Sequence, residues 1–490
     1  MRAKAGRSRP DPRRDDVDRV ALLTHALAEA RPDYSARRVF AVGQLLWLYL
    51  LITLGLAALA FAPMATATVF VGFLTLFYLA GFLFKTYLFI TSPALKDDTP
   101  LCGDAPLPIY TVLVPLYREA AALPDLLAGL ARLDYPKDRL DVKLILEADD
   151  RETAAALDAI EIGPAIEIIR VPPCRPRTKP KALIYGLSFA RGDFVVVYDA
   201  EDQPEPDQLR RALARFAALG PDIACLQARL NFYNARETWL CRLFAIDYCL
   251  WFDYLLPGLE RLGAPLPLGG TSNHFRKSAL LAAGGWDPFN VTEDADLGIR
   301  LAREGYGVGT LNSTTYEEAP PYFSAWLAQR TRWMKGYLQT WLVHNRNRRR
   351  LHDEVGRAGL CVLDLLLFGS VLAGLANPIL WGLFIGWLYS GEGVLSGLTG
   401  PWLLLVSLLG LVGGNAMLLF LSLIAPLRRG WLHLVPYALT APIYWLIISL
   451  AAWRGLFGLL VRPFHWSKTA HGLSRFEARA APSRPKDPAR

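Results

Sequence analysis

The sequence predicts an α/β domain on a mostly parallel sheet, inserted between transmembrane helices. Three observations carry this. The 490-residue chain is 53% hydrophobic with positive mean hydropathy, and the excess lies in long apolar runs towards its two ends. Between those runs, short β-branched stretches alternate with helical patterns. The net charge of +8 belongs to two tails: residues 1–40 hold ten Lys/Arg against six Asp/Glu, and residues 463–490 hold six against two. A basic balance confined to the flanks of membrane segments points to a lipid bilayer and argues against a nucleic-acid partner.

In chain order, residues 1–38 read as a basic, partly disordered cytoplasmic arm with a short helix over 20–30. Residues 39–90 form a transmembrane hairpin, with spans at 39–62 and 66–90 joined by an uncharged link. Arg37, Arg38 and Lys85 put both flanks on the cytoplasmic side. No signal peptide is evident, because the first apolar run starts near Val39 and is too long for one. Residues 107–350 read as a cytoplasmic α/β domain. Its strands are expected at 110–114, 142–146, 166–170 and 194–198, and an interfacial helix at 322–343. Apolar tracts return at 359–389, 401–425 and 432–460, a C-terminal transmembrane bundle over 359–462. The loop 390–400 has one Glu and no Lys/Arg and belongs outside; Arg428 and Arg429 belong inside. The last tract holds Pro436, Pro442 and Arg454. It fits one span followed by an interfacial helix, or a tight hairpin. A basic cytoplasmic tail at 463–490 requires an even number of C-terminal spans, and the sequence leaves that parity open. The six cysteines show no CxxC or zinc spacing and read as reduced.

The chemistry is organised around Asp193-Phe-Val-Val-Val-Tyr-Asp199-Ala-Glu201-Asp202, a buried strand running into three carboxylates. Ligands gather at the carboxyl ends of such strands, and acidic oxygens there suit Mg²⁺ or Mn²⁺. Taken alone, the run equally fits a solvated acidic turn ahead of Pro204 and Pro206. Further stretches join it. A first strand ends in Leu116-Tyr117-Arg118-Glu119, and a second ends in Asp149-Asp150. Gly269-Gly270-Thr271 is a turn, Thr292-Glu293-Asp294 opens a helix, and Gln329-Arg330-Thr331-Arg332-Trp333 sits on another.

Strand-end acids, then TED, then QxxRW, in that order and between membrane spans, resemble the inverting GT-A glycosyltransferases of family 2. The likeness is to the membrane-embedded polysaccharide synthases similar to cellulose, hyaluronan and chitin synthases, and it covers roughly residues 39–472. It implies a Rossmann-like GT-A catalytic domain of mostly parallel sheet, a hexosyltransferase. Asp149 or Asp150 would hold the nucleotide base and ribose, with Tyr117 and Glu119 beside them. Asp199 and Glu201 fall where the family binds diphosphate through Mg²⁺ or Mn²⁺. Because the second acid is Glu, either Glu201 or Asp202 completes the metal site. Lys179 matches a lysine that approaches the donor, and Gly270 and Thr271 an acceptor-side loop. Asp294 would be the general base, with Thr292 as N-cap and Glu293 beside it. Gln329, Arg330, Arg332 and Trp333 would line the site, Arg332 facing the leaving diphosphate and Trp333 stacking under the acceptor sugar. Trp326, Trp333 and Trp341 also fit an interfacial amphipathic helix. His471, in the basic tail, reads as a membrane-surface anchor.

The implied partners are a nucleotide-sugar donor, UDP-hexose or UDP-N-acetylhexosamine, and a growing glycan, with export partners conceivable. The implied location is a bacterial-type inner membrane with the catalytic domain cytoplasmic. Only one carboxylate need act as base when a metal and Arg/Lys absorb the leaving charge. A glycosidase would need a matched pair. The rival readings are a single-sugar transferase to a polyprenyl or other lipid acceptor, and a transporter or scaffold carrying a dead transferase domain.

Overall fold

The computed structural model describes residues 12–94, 106–390 and 401–464, together with Ser474. Helix α1 (Pro12–Ala30) buries Val20, Thr24 and Leu27, and Arg19 lies over the Phe189 ring at 4.8 Å. Arg31 pairs with Glu304 at 2.5 Å, and Ser35 Oγ and the Ala36 N–H donate to Asp287. The described part of the arm is therefore docked on the α/β domain rather than disordered, because its apolar face finds a partner there. The hairpin helices are α2 (Val42–Phe61) and α3 (Pro63–Thr91). The uncharged link expected between the two spans shrinks to Ala62, since Pro63 takes the first helical position, where its missing N–H goes unneeded.

The domain follows as β1 (Tyr110–Leu116), α4 (Leu123–Ala131), β2 (Leu140–Glu147), α5 (Arg151–Asp158), β3 (Ile166–Val171), α6 (Lys179–Leu187) and β4 (Phe194–Val197). Then come β5 (Gln203–Pro204), α7 (Gln208–Leu219), β6 (Ile223–Phe232), α8 (Trp239–Leu250), α9 (Leu256–Arg261) and β7 (Asn273–Arg276). It closes with α10 (Lys277–Ala282), α11 (Glu293–Arg303), β8 (Gly307–Glu317) and α12 (Phe323–His344). The strands make one sheet in the order β3-β2-β1-β4-β7-β6-β8-β5. All four expected strands are present and pair in parallel. Helices cover both faces, so β1, β2 and β4 are buried almost throughout, Asp141, Lys143 and Glu147 of β2 included. The other half is mixed: β7 runs antiparallel to β4 and β6, while β6 and β8 are parallel. The carboxyl ends of β1, β2 and β4 lie side by side.

The C-terminal helices are α13 (Arg348–Cys361), α14 (Gly369–Ser390), α15 (Pro401–Leu408), α16 (Gly414–Ile424), α17 (Val435–Ala438) and α18 (Ala441–Val461). Five helical stretches are long and apolar enough to cross a membrane, α18 among them. Both ends of α18 nevertheless rest on the α/β domain. Trp239 Nε1 donates to Thr440 Oγ1 at 2.8 Å, and Arg330 Nη2 to the Tyr444 hydroxyl at 2.8 Å. Past its end, Lys335 Nζ donates to the Arg462 carbonyl at 3.4 Å, and Phe464 meets Phe289 at 6.2 Å. Ser474 donates through N and Oγ to Glu318 and Glu237. The rest of the tail, His471 included, lies outside the described residues.

Candidate active site

Four strand ends, of β1, β2, β4 and β8, and two helix starts build the site. Past β4, Lys179 Nζ, from the first residue of α6, reaches Asp199 Oδ1 at 2.5 Å and the Gly270 carbonyl at 2.7 Å. Burial favours the neutral amine, but Asp199, Glu293 and Asp294 outweigh it and raise the Lys179 pKa. Asp202 turns inward. Its Oδ2 accepts from the Asp199 N–H at 2.7 Å and from the Thr271 hydroxyl. Its Oδ1 is buried and has no partner among the described residues. Burial, then the charges of Asp199 and Glu201, push the Asp202 carboxyl well above the usual range. Glu201 faces the cleft beside Asp199.

The two acids after β2 separate. Asp150 accepts from the Thr153 N–H as N-cap of α5, and from the Arg118 N–H at 2.5 Å, where φ is +55°. Both its oxygens accept from backbone N–H groups, so Asp150 fixes the start of α5 against the turn after β1. Asp149 pairs with Arg177 at 2.6 Å and stays partly exposed. Tyr117 and Glu119 line the cleft with Arg177 and Lys179.

On the opposite wall, α11 begins with Glu293 and Asp294. Gly270 leaves the space between them open: a Cβ there would lie 3.3 Å from Asp294 Oδ2 and 4.0 Å from Lys179 Nζ. Burial lifts the Asp294 carboxyl against the Ala295 N–H, Lys179 and Arg332, which all favour its anion. Burial and the Asp294 charge lift Glu293 to about 7. Thr292 stands at the N-cap position, but its hydroxyl turns to Asn290 and Thr340 instead of capping α11. Helix α12 holds this loop. Gln339 accepts from the Val291 N–H and donates to the Phe289 carbonyl, both at 3.1 Å, and Gly336 lies where any Cβ would strike Thr292.

Gln329, Arg332 and Trp333 line the same cleft. Arg330 lines it as well. It is buried, pairs with Asp247 at 2.6 Å, and packs over Phe244 and Trp333 at 4.3 and 4.6 Å. These contacts tie α8, α12 and α18 together. Sequence reasoning also missed Glu317, at the end of β8, which lines the cleft with Asp199, Glu201 and Asp294. Its signal was the same strand-end rule, but β8 had not been recognised. The cleft, about 600 Å³, continues past Trp333 and Tyr248 between α3, α14, α16 and α18. Tyr78, Ser370, Asn377, Asn415, Ser422 and Ser449 line it there, neutral polar side chains on apolar helices.

Among the described residues, no three His, Cys, Asp or Glu side chains are gathered into a ready metal cage. The donor set still fits a hard cation, since Mg²⁺-type sites use one or two carboxylates and take the rest of their shell from substrate phosphates and water. The buried, unpartnered Asp202 Oδ1 is an oxygen of that kind. Facing walls of carboxylates and Lys/Arg, one deep and one opening to the helices, can hold a diphosphate on one side and activate a hydroxyl on the other.

A solved mannosyltransferase from Pyrobaculum calidifontis, in complex with GDP-Man and Mn²⁺, is 20% identical and aligns at a TM-score of 0.50 over 81% of this chain and 98% of its own. That likeness concerns the fold, which is GT-A. Glucomannan 4-beta-mannosyltransferase 1 of Oryza sativa subsp. japonica is 28% identical over 49% of this chain and 48% of its own length. Glucomannan 4-beta-mannosyltransferase 2 of Arabidopsis thaliana is 29% identical over 49% and 46%. The chain thus spans about half the length of the curated relatives it matches. The profile of "Glycosyl transferase family group 2" matches residues 194–461, more than half of the chain. This protein belongs to glycosyl transferase family group 2.

Proposed function

We propose that this protein is an inverting hexosyltransferase that takes a sugar from a nucleotide diphosphate donor and adds it to a growing β-linked glycan. The observation that carries the reading is the single cleft running from Asp199 and Asp294 into the helices. Neutral Asn and Ser side chains with aromatic walls suit a glycan's hydroxyls and ring faces. Asp294 accepts the acceptor hydroxyl's proton in line with the departing diphosphate. Lys179 and Arg332 stabilise the leaving charge, and Trp333 with Tyr248 forms a platform for the acceptor. Asp199, Glu201 and Asp202 would hold Mg²⁺ or Mn²⁺, which supplies charge neutralisation to the diphosphate when bound. The names of the relatives favour a nucleotide-linked mannose as donor ahead of the UDP-sugars the motifs alone suggested.

The contacts at both ends of α18 support an even count of C-terminal spans, with α18 lying along the interface beside α12. Arg454, exposed midway along α18, agrees, since a charge at a span's centre costs roughly 2.5–3.5 kcal/mol on insertion scales. Residues 1–38, the α/β domain and the tail 463–490 then share the cytoplasmic side, and the product leaves through the bilayer.

The test uses the full chain in nanodiscs with Mn²⁺ or Mg²⁺, labelled GDP-mannose and a UDP-sugar panel, and Asp294→Asn as control. A metal-dependent polymer absent from the variant is the expected product. A single-sugar, solvent-extractable product would transfer the reading to a lipid acceptor. Silence across the panel would overturn it.

A further inference from the structure

Strand β5 pairs antiparallel with β8, with Gln203 opposite Tyr316 and Pro204 opposite Thr315. One step further in that register sets Asp202 opposite Glu317 on the same face, where side chains of a pair start about 4.5–5.5 Å apart. Like charges directly opposite one another destabilise a sheet. Both carboxylates also leave one oxygen buried and without a partner among the described residues, Asp202 Oδ1 and Glu317 Oε1. Asp202 is 2% exposed, and its other oxygen is pinned by the Asp199 N–H and Thr271, so it cannot turn to water. The nearby cation, Lys179, is taken by Asp199 and Gly270. Two facing carboxylates with unsatisfied oxygens and no paired cation are an incomplete arrangement, because an unmatched buried acceptor is costly.

We propose that Glu317 belongs to the divalent-cation site, facing Asp202 across the β5–β8 pair, so that the cation is held from two strand ends instead of from the Asp199–Asp202 turn alone. Two hard oxygens from opposite strands leave most of an octahedral shell to diphosphate oxygens and water. The cation also removes the like-charge opposition, so occupancy of the site ties the β5–β8 edge to the turn after β4. This inference rests on the metal-dependent reading of the function.

The test is Mn²⁺ binding, followed by electron paramagnetic resonance and by thermal shift, on the full chain in nanodiscs with GDP and no sugar donor. Glu317→Gln is expected to weaken Mn²⁺ at least tenfold and to lose most of the Mn²⁺-induced rise in Tm. In chelator-treated buffer the same variant should melt at or above the wild type, since it removes a repulsion. Glu317→Asp, which keeps the charge on a shorter arm, should bind with intermediate affinity. Wild-type affinity in Glu317→Gln, beside a loss in Asp202→Asn, would overturn the role of Glu317 and leave the functional reading intact. A metal-free Glu317→Gln that melts well below the wild type would overturn it too, by marking the residue as structural. Failure of the wild type itself to bind Mn²⁺ with GDP would overturn both.

Discussion

Asp294 occupies the first turn of α11, where the helix dipole favours an anion, yet burial raises its carboxyl above the ordinary aspartate range. A base must be ionised to act, so the rate should fall on acidification along a limb lying above the free-aspartate value of about 3.9. Asp294→Asn should lower kcat by about 10²–10⁴ and abolish that limb, measured by transfer of labelled sugar against pH. Glu293 beside it gives a stability prediction of the less usual sign. Its folded pKa, about 7, exceeds the ordinary 4.5, so the folded protein holds the extra proton. That contribution is present in full below about 4.5 and is lost as pH rises through about 7. Glu293→Gln should therefore raise Tm at pH 8 by a few degrees and leave it nearly unchanged at pH 4, by differential scanning calorimetry. The adjacency of Glu293 and Asp294 is plain in the sequence. The burial that lifts them is not, because α12 supplies it from more than thirty residues away.

At the scale of elements, α12 serves the TED loop as much as the cleft. Gly336→Ala drives a methyl into Thr292. Overpacking of this kind costs about 1–3 kcal/mol and should displace Asp294. The expected result is a lower Tm with kcat reduced more than KM is raised. The paired acids after β2 divide in the same way. Asp150→Ala removes the N-cap of α5, so it should cost about 0.5–2 kcal/mol of stability, read from denaturant unfolding. Asp149→Ala leaves that cap intact and should raise KM for the donor at unchanged Tm. From sequence the two were interchangeable, since both stand at a strand's end. The turn geometry separates them, because the positive φ at Arg118 aims a backbone N–H that only Asp150 meets. QxxRW was legible as a unit because helical spacing brings Gln329, Arg330, Arg332 and Trp333 to one cleft, whereas what Arg330 pairs with depends on Asp247 and Tyr444 from other helices.

For the whole molecule, the proposed interfacial path of α18 has an observable consequence. A membrane-impermeant maleimide should label Ser474→Cys from the side that carries the α/β domain, and Ser396→Cys from the opposite side. Labelling of both from one side would sink the topology. The cleft makes its own prediction. Ser449→Trp fills the passage between α14, α16 and α18 without touching Asp294 or Lys179. Product length should collapse on sizing gels while transfer of a first sugar to a short acceptor persists. Equal loss of both would mean that the passage takes no part in elongation.

By itself the sequence determined what depends on neighbours along the chain. The apolar runs mark the helices long enough to cross a membrane, the β-branched runs mark the buried parallel strands, and the strand-end acids, TED and QxxRW mark the family, since each is a pattern of period, length or spacing. Only the tertiary structure decided what depends on residues far apart: that Asp150 caps a helix, that Arg330 braces three helices, that the described arm is docked, and that Glu317 lines the cleft. A helix apolar enough to span a membrane looks the same in sequence whether it crosses or lies along the interface. Its direction is set by what its two ends rest against, and for α18 both ends meet the same domain.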